Sequence, residues 1–240
     1  MSRLPTPVKW LALVLSLAAI GACFHFLRDQ EAAAGGPAVR GLRLGIVLFG
    51  LIGWFTSQSL ISGRGPKAGL IGDGVHEITA PWHACLEAHP RSADAVLIVS
   101  SGFIDLLGIF LIAASIFGPS MRPFAALLML FLMRQACQGL CALPAPPGMI
   151  WRYPGFPSLL VTYDVANDFF FSGHTAIAVL AAIVAAGMFP WWVGVAVALI
   201  ALGEASVVLI LRAHYTMDVF AAVVAAFCAS GLADWLCAAL

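Results

Sequence analysis

Charge is what this chain has least of. Only 12 basic and 12 acidic side chains occur among 240 residues, 10% of the total, where a soluble domain carries roughly a quarter. With 62% hydrophobic residues and a mean hydropathy of +0.98, too few polar side chains exist to cover a water-facing surface. That excludes a water-soluble enzyme and a disordered chain. A basic excess is missing as well. The net charge of zero excludes a nucleic-acid binder and implies no long-range attraction to an acidic partner. The six cysteines (Cys23, Cys85, Cys137, Cys141, Cys228 and Cys237) form no C-x-x-C pair and no Cys/His zinc spacing. Cys137 and Cys141, four apart, read as small apolar packing. Internal repeats and low-complexity tracts are lacking too. What remains is an all-α integral membrane protein.

A helix needs roughly 20 mainly apolar residues to cross the hydrocarbon. Seven such runs are present, at about 10–27, 42–62, 95–117, 123–143, 169–189, 191–211 and 217–238. Arg3 and Lys9 before the first run, with Ile20-Gly21-Ala22-Cys23 inside it, resemble a signal peptide. Because the chain continues as a multi-pass protein, a retained helix is expected. Residues 63–94 and 144–168 read as long loops rich in Pro, Gly, His and Asp. By alternation they share one membrane face with the short joint Arg212–Thr216, and long irregular segments are where chemistry usually sits. His76, His83, His89, Glu77 and Glu87 in the first of these loops have irregular spacing and read as solvated rather than metal-binding.

Ionisable groups within a membrane are costly and mark function. Arg134 falls mid-run with Gln138 one turn later. Its guanidinium cannot lose its charge, so it pairs either with Asp105 or Glu204 or with a phosphate. Two further clusters open runs five and seven: Asp168-Phe-Phe-Phe-Ser172-Gly173-His174-Thr175 and His214-Tyr215-Thr216-Met217-Asp218-Val219. His214 and Asp218 are four apart, hence on one helix face. The carboxylate can hold one imidazole nitrogen as a donor and leave the other as a nucleophile. His174, at a helix start on the same side, is positioned to be acid and base, and helix N-termini favour phosphate.

These motifs resemble the sphingomyelin synthase family of the lipid phosphatase/phosphotransferase superfamily, over roughly residues 41–230. Asp168 stands six before His174 as in its Gly-Asp-x-x-x-Ser-Gly-His-Thr motif. His214-Tyr215-Thr216-x-Asp218-Val219 matches its second motif, Leu143-Pro144-x-Pro146 looks like its Leu-Pro-Val-Pro element, and Arg134 falls where the family also has arginine. The resemblance implies a six-helix transmembrane core at 41–240, with residues 1–40 adding an extra N-terminal transmembrane helix and linker. It also implies a two-step transfer. His214, oriented by Asp218, attacks the phosphorus of a glycerophospholipid donor. His174 protonates the departing diacylglycerol and then deprotonates ceramide or another lipid alcohol. Arg134 and Arg212 neutralise the phosphoryl oxygens, and Asp168, Ser172, Gly173 and Tyr215 complete the substrate site. No metal and no other cofactor is implied.

Departures from that pattern line the head-group region. Ala166-Asn167 replaces the family's Cys-Gly, the loop from Pro144 is short, and Arg212-Ala213 replaces a common His-Asp, so the head group stays open. A rival reading is a lipid phosphate phosphatase, with water as acceptor. Its markers fail in part, since Ser115 stands in a Lys position before Arg122-Pro123, Phe171 replaces Pro, and Val207-Val208 replace Ser-Arg. A non-enzymatic transporter or scaffold would be expected to lose a triad member, and none is lost. The arginine count across loops leans toward a cytoplasmic catalytic face, whereas the resemblance implies an extracytoplasmic one.

Overall fold

The structure, a computed structural model, describes residues 71–140, 143–161, 163 and 170–239, with isolated positions between 7 and 52. The apolar runs at 10–27 and 42–62 and the division at residue 40 lie largely outside the described residues. By internal contacts, Ile71–Leu240 is one unit and Met1–Leu70 another. Seven helices build the first of these: α1 (Gly74–Ile78), α2 (Ala80–Ala88), α3 (Pro90–Phe117), α4 (Arg122–Leu140), α5 (Gly173–Met188), α6 (Trp191–Ile210) and α7 (Thr216–Ala239). No strand occurs among the described residues.

Among the described residues four helices, α3, α4, α6 and α7 through Leu236, are long and apolar enough to cross a membrane, and α5 is a shorter apolar helix. Their packing is that of a membrane protein. The interior is built from small side chains, Ala176, Ala178, Ala181, Ala222, Ala226 and Ala229 among them, all nearly inaccessible. Large apolar side chains such as Leu106, Phe117, Leu132, Leu202, Phe227 and Trp235 point outward. Lipid supplies no hydrophobic drive between helices, so close approach of small residues holds them together. Gly194 shows how close. A methyl group there would stand 2.8 Å from the Ala186 backbone, which lets α6 lie against α5. The resulting protein is all-helical and integral to the membrane.

Tight turns join α3 to α4 and α5 to α6, so these helices alternate in direction. The N-terminal ends of α5 and α7 meet at one end, tied by the Ser172 N–H donating to the Asp218 carbonyl at 3.2 Å.

The stretch 63–94 departs from its reading as loop, because α1 and α2 occupy 74–88. Asp73 caps α1 by accepting from the N–H groups of Val75 and His76 at 3.0 and 3.3 Å. Pro81 sits in the first turn of α2, where its missing N–H costs nothing.

Candidate active site

The start of α7 faces the histidine just ahead of it. Asp218, 1% exposed, accepts from the Tyr215 N–H through Oδ2 at 2.8 Å. The same oxygen lies 3.6 Å from Nδ1 of His214, longer than a hydrogen bond. The remaining ring nitrogen of His214 is turned away from the carboxylate. Asp218 Oδ1 is buried with no hydrogen-bond partner among the described residues.

Ser172 caps α5. Its buried Oγ accepts from the Thr175 N–H at 3.4 Å and from the Thr175 hydroxyl at 3.1 Å, which fixes the first turn and with it His174. The His174 ring meets Trp151 edge-on, centroids 5.2 Å apart, and its Nε2 is buried without a hydrogen-bond partner among the described residues. His214 and Arg134 both lie near enough for their charges to act on it. Arg134 Nε donates to the Phe171 carbonyl at 3.1 Å, and a methyl on Gly173 would stand 3.5 Å from the same nitrogen. The guanidinium therefore sits at the N-terminus of α5. Asp105 and Glu204 are engaged elsewhere. Asp105 accepts from the Ser158 hydroxyl and from the Leu159 and Leu160 N–H groups. Glu204 accepts from Ser100 at 2.5 Å, lining an apolar groove of about 560 Å³ between α3 and α6.

Contacts from α1, α2 and the Asp73 cap also reach the joint between α6 and α7, and the sequence reading missed them. His76 Nε2 donates to the His214 carbonyl at 2.9 Å, and its ring stacks on Tyr215 with centroids 5.8 Å apart. His83 Nδ1 donates to the Ile210 carbonyl at 2.8 Å. Asp73 accepts from the Thr216 N–H at 2.6 Å and from its hydroxyl at 2.7 Å, so one carboxylate caps both α1 and α7. Of the histidines taken for a solvated loop, His76 and His83 are buried structural donors, while His89 is exposed and bonds back to the Cys85 carbonyl at the end of α2. Asp73 before Gly74 was the legible signal, since that pair is a helix-capping sequence.

Arg212 takes the left-handed conformation, φ 53°, just past α6. Its N–H donates to the Leu209 carbonyl and that of Ala213 to the Val208 carbonyl, at 3.1 and 2.9 Å, a Schellman ending that usually uses glycine. Its guanidinium donates to the Pro147 carbonyl at 3.1 Å.

His174, His214, Asp218, Arg134, Ser172 and Gly173 therefore come together where α5 and α7 begin. Tyr215 is buried against His76, Arg212 faces the 147–148 turn, and Asp168 lies outside the described residues. Among the described residues no three His, Cys, Asp or Glu side chains converge as a metal-binding set.

Residues 73–235, about two thirds of the chain, match the model of a family described as AtPDCT1/2. Neither the curated proteins nor the solved structures yield a match. The family is that of a phosphatidylcholine:diacylglycerol cholinephosphotransferase, a lipid phosphotransferase. This corrects the likeness to sphingomyelin synthases, and with it ceramide and sphingolipid metabolism lose their support. The motifs misled for a physical reason. They were read for the attack on phosphorus, and nothing in that reading distinguishes one acceptor alcohol from another.

Proposed function

The chain belongs to the AtPDCT1/2 family, and on that premise we propose that it moves phosphocholine from phosphatidylcholine to diacylglycerol through a phosphohistidine. In the first step the imidazole nitrogen of His214 turned away from Asp218 attacks the phosphorus. The bond from phosphorus to the glycerol oxygen breaks, and His174 gives that oxygen a proton, releasing diacylglycerol. In the second step His174 takes the proton from the hydroxyl of another diacylglycerol. The freed oxygen attacks the phosphorus, the phosphorus–nitrogen bond breaks, and a new phosphatidylcholine leaves. Asp218 stabilises the charge that the His214 ring carries in between.

The observation that carries this reading is the setting of Arg134. A cation at the positive end of a helix dipole is poorly placed for stability and well placed to bind a phosphate that also meets the helix N–H groups. Phosphoryl transfer depends mainly on such positioning and charge stabilisation.

Purified protein in mixed micelles, given choline-labelled phosphatidylcholine and a short-chain diacylglycerol, should yield labelled short-chain phosphatidylcholine. Ceramide offered instead should remain unlabelled. His214→Ala should lower the rate by roughly a thousandfold or more, and Asp218→Asn nearly as much. Exchange that survives His214→Ala would exclude the covalent route, and labelled phosphocholine released into water would favour hydrolysis.

A further inference from the structure

Three aromatic side chains on the segment between α4 and α5 have no part in the steps above. Trp151 and Tyr163 lie with ring centroids 5.3 Å apart at 36°. Tyr153 stands edge-on to Tyr163 at 6.1 Å and 75°. Tyr153 is 60% exposed, while Trp151 and Tyr163 are partly buried and pack against the core, so the group forms a corner that runs from the core to the surface. The corner adjoins the chemistry through the contact between Trp151 and His174.

The segment is held at many points. Asp105 accepts from the Ser158 hydroxyl at 2.9 Å and from the N–H groups of Leu159 and Leu160 at 2.8 Å each. The hydroxyls of Ser101 and Tyr163 share a hydrogen bond of 2.6 Å. Arg152, between two of the rings in sequence, is directed to Asp94 at 2.7 Å and to the Pro90 carbonyl at 3.0 Å. Gly108 makes room for the loop, since a methyl there would overlap Leu160. Rings fixed before a ligand arrives lose little entropy on binding it.

A ring face is electron-rich and attracts a cation, most of all one that cannot hydrogen-bond. Asp105 adds a negative charge near enough to act on both Tyr163 and His174. In a phosphocholine, two carbons and an oxygen separate nitrogen from phosphorus, so a choline site must adjoin the histidine pair, as this corner does. We infer that Trp151, Tyr153 and Tyr163 form the head-group site and select a quaternary ammonium. The inference rests on the phosphocholine-transfer reading and names the residues that give it its head group.

The test uses the whole protein in vesicles containing equal phosphatidylcholine and phosphatidylethanolamine, with labelled diacylglycerol as acceptor. The wild type should favour the choline product. Tyr153→Leu, a substitution at an exposed position, should narrow that ratio roughly tenfold through a higher KM for the choline donor, and Tyr153→Phe should retain the wild-type ratio. A ratio unchanged in both Tyr153→Leu and Trp151→Leu would overturn the assignment, because an aromatic serving only as a membrane-interface anchor affects both donors alike. If the wild type transfers neither head group, the transfer reading fails, and calorimetric binding of free phosphocholine against phosphoethanolamine decides the site by itself. Preference for phosphocholine that Tyr153→Leu removes supports it, and equal binding sinks it.

Discussion

Arg134 stands within contact of Gly173, and replacing it tests whether charge alone suffices. A lysine keeps the charge but loses the planar fork that grips two oxygens at once. Arg134→Lys should lower kcat/KM by about tenfold or more, mainly through kcat, measured with varied donor in mixed micelles. A wild-type value would remove Arg134 from the site. At this scale the sequence was most informative where spacing alone fixes a contact. His214 and Asp218, four apart, were expected on one helix face. The structure brings them to 3.6 Å with His214 ahead of α7, which begins at Thr216, so the closeness was legible in the sequence and the helical reason for it was not. It was silent where contacts join distant stretches. His76 reaches the His214 carbonyl across 138 positions, and no local pattern announces that a histidine in a polar stretch will be buried. Arg212 shows the opposite limit, because a non-glycine in the left-handed position contradicts local preference and is held there by the hydrogen bonds around it.

Among the elements, α1 has five residues, too few to be stable alone, and persists because Asp73 joins it to α7. Partial burial pushes the Asp73 carboxyl up, but the hydroxyl and N–H of Thr216, with His76 nearby, outweigh that and hold it below the usual carboxylate range. A carboxylate depressed on folding contributes stability above its unfolded pKa of about 3.9. That contribution is lost as pH falls through the folded value. Thermal unfolding in detergent should therefore show the wild type above Asp73→Asn near pH 6, with the gap closing below about pH 4. A gap that is constant with pH would mean the carboxylate's charge is irrelevant. The long apolar helices were legible because hydrocarbon imposes a length on them. The pair α1 and α2 was not, because neither is long enough for a hydrophobic period to emerge and both depend on capping and on histidines bonded to the neighbouring joint.

At the scale of the molecule, orientation follows from charge. The expectation of an extracytoplasmic site rested on the sphingomyelin synthase resemblance. Without it the arginines remain. Among the described residues Arg91, Arg152 and Arg212 lie at the site end and Arg122 at the other, where it pairs with Asp234. The positive-inside rule then predicts a cytoplasmic site. Cys85, exposed on α2, reports this directly. In a variant keeping that cysteine alone, an impermeant maleimide should label only after permeabilisation, and labelling of intact cells would put the site outside.

The length of α5 has a further effect. Sixteen residues rise about 24 Å, against a hydrocarbon thickness of about 30 Å. In a bilayer, with the tight turn at Phe189–Pro190 keeping the far end of α5 level with α6, the shortfall would come at Gly173 and set His174 below the head groups. On the transfer reading, a donor drifting sideways through its leaflet then arrives with its phosphorus near working height. An alcohol that has lost its polar cap, and so rides lower still, is met at its own level. Water must descend from above to compete, which favours exchange over hydrolysis before any side chain discriminates between them.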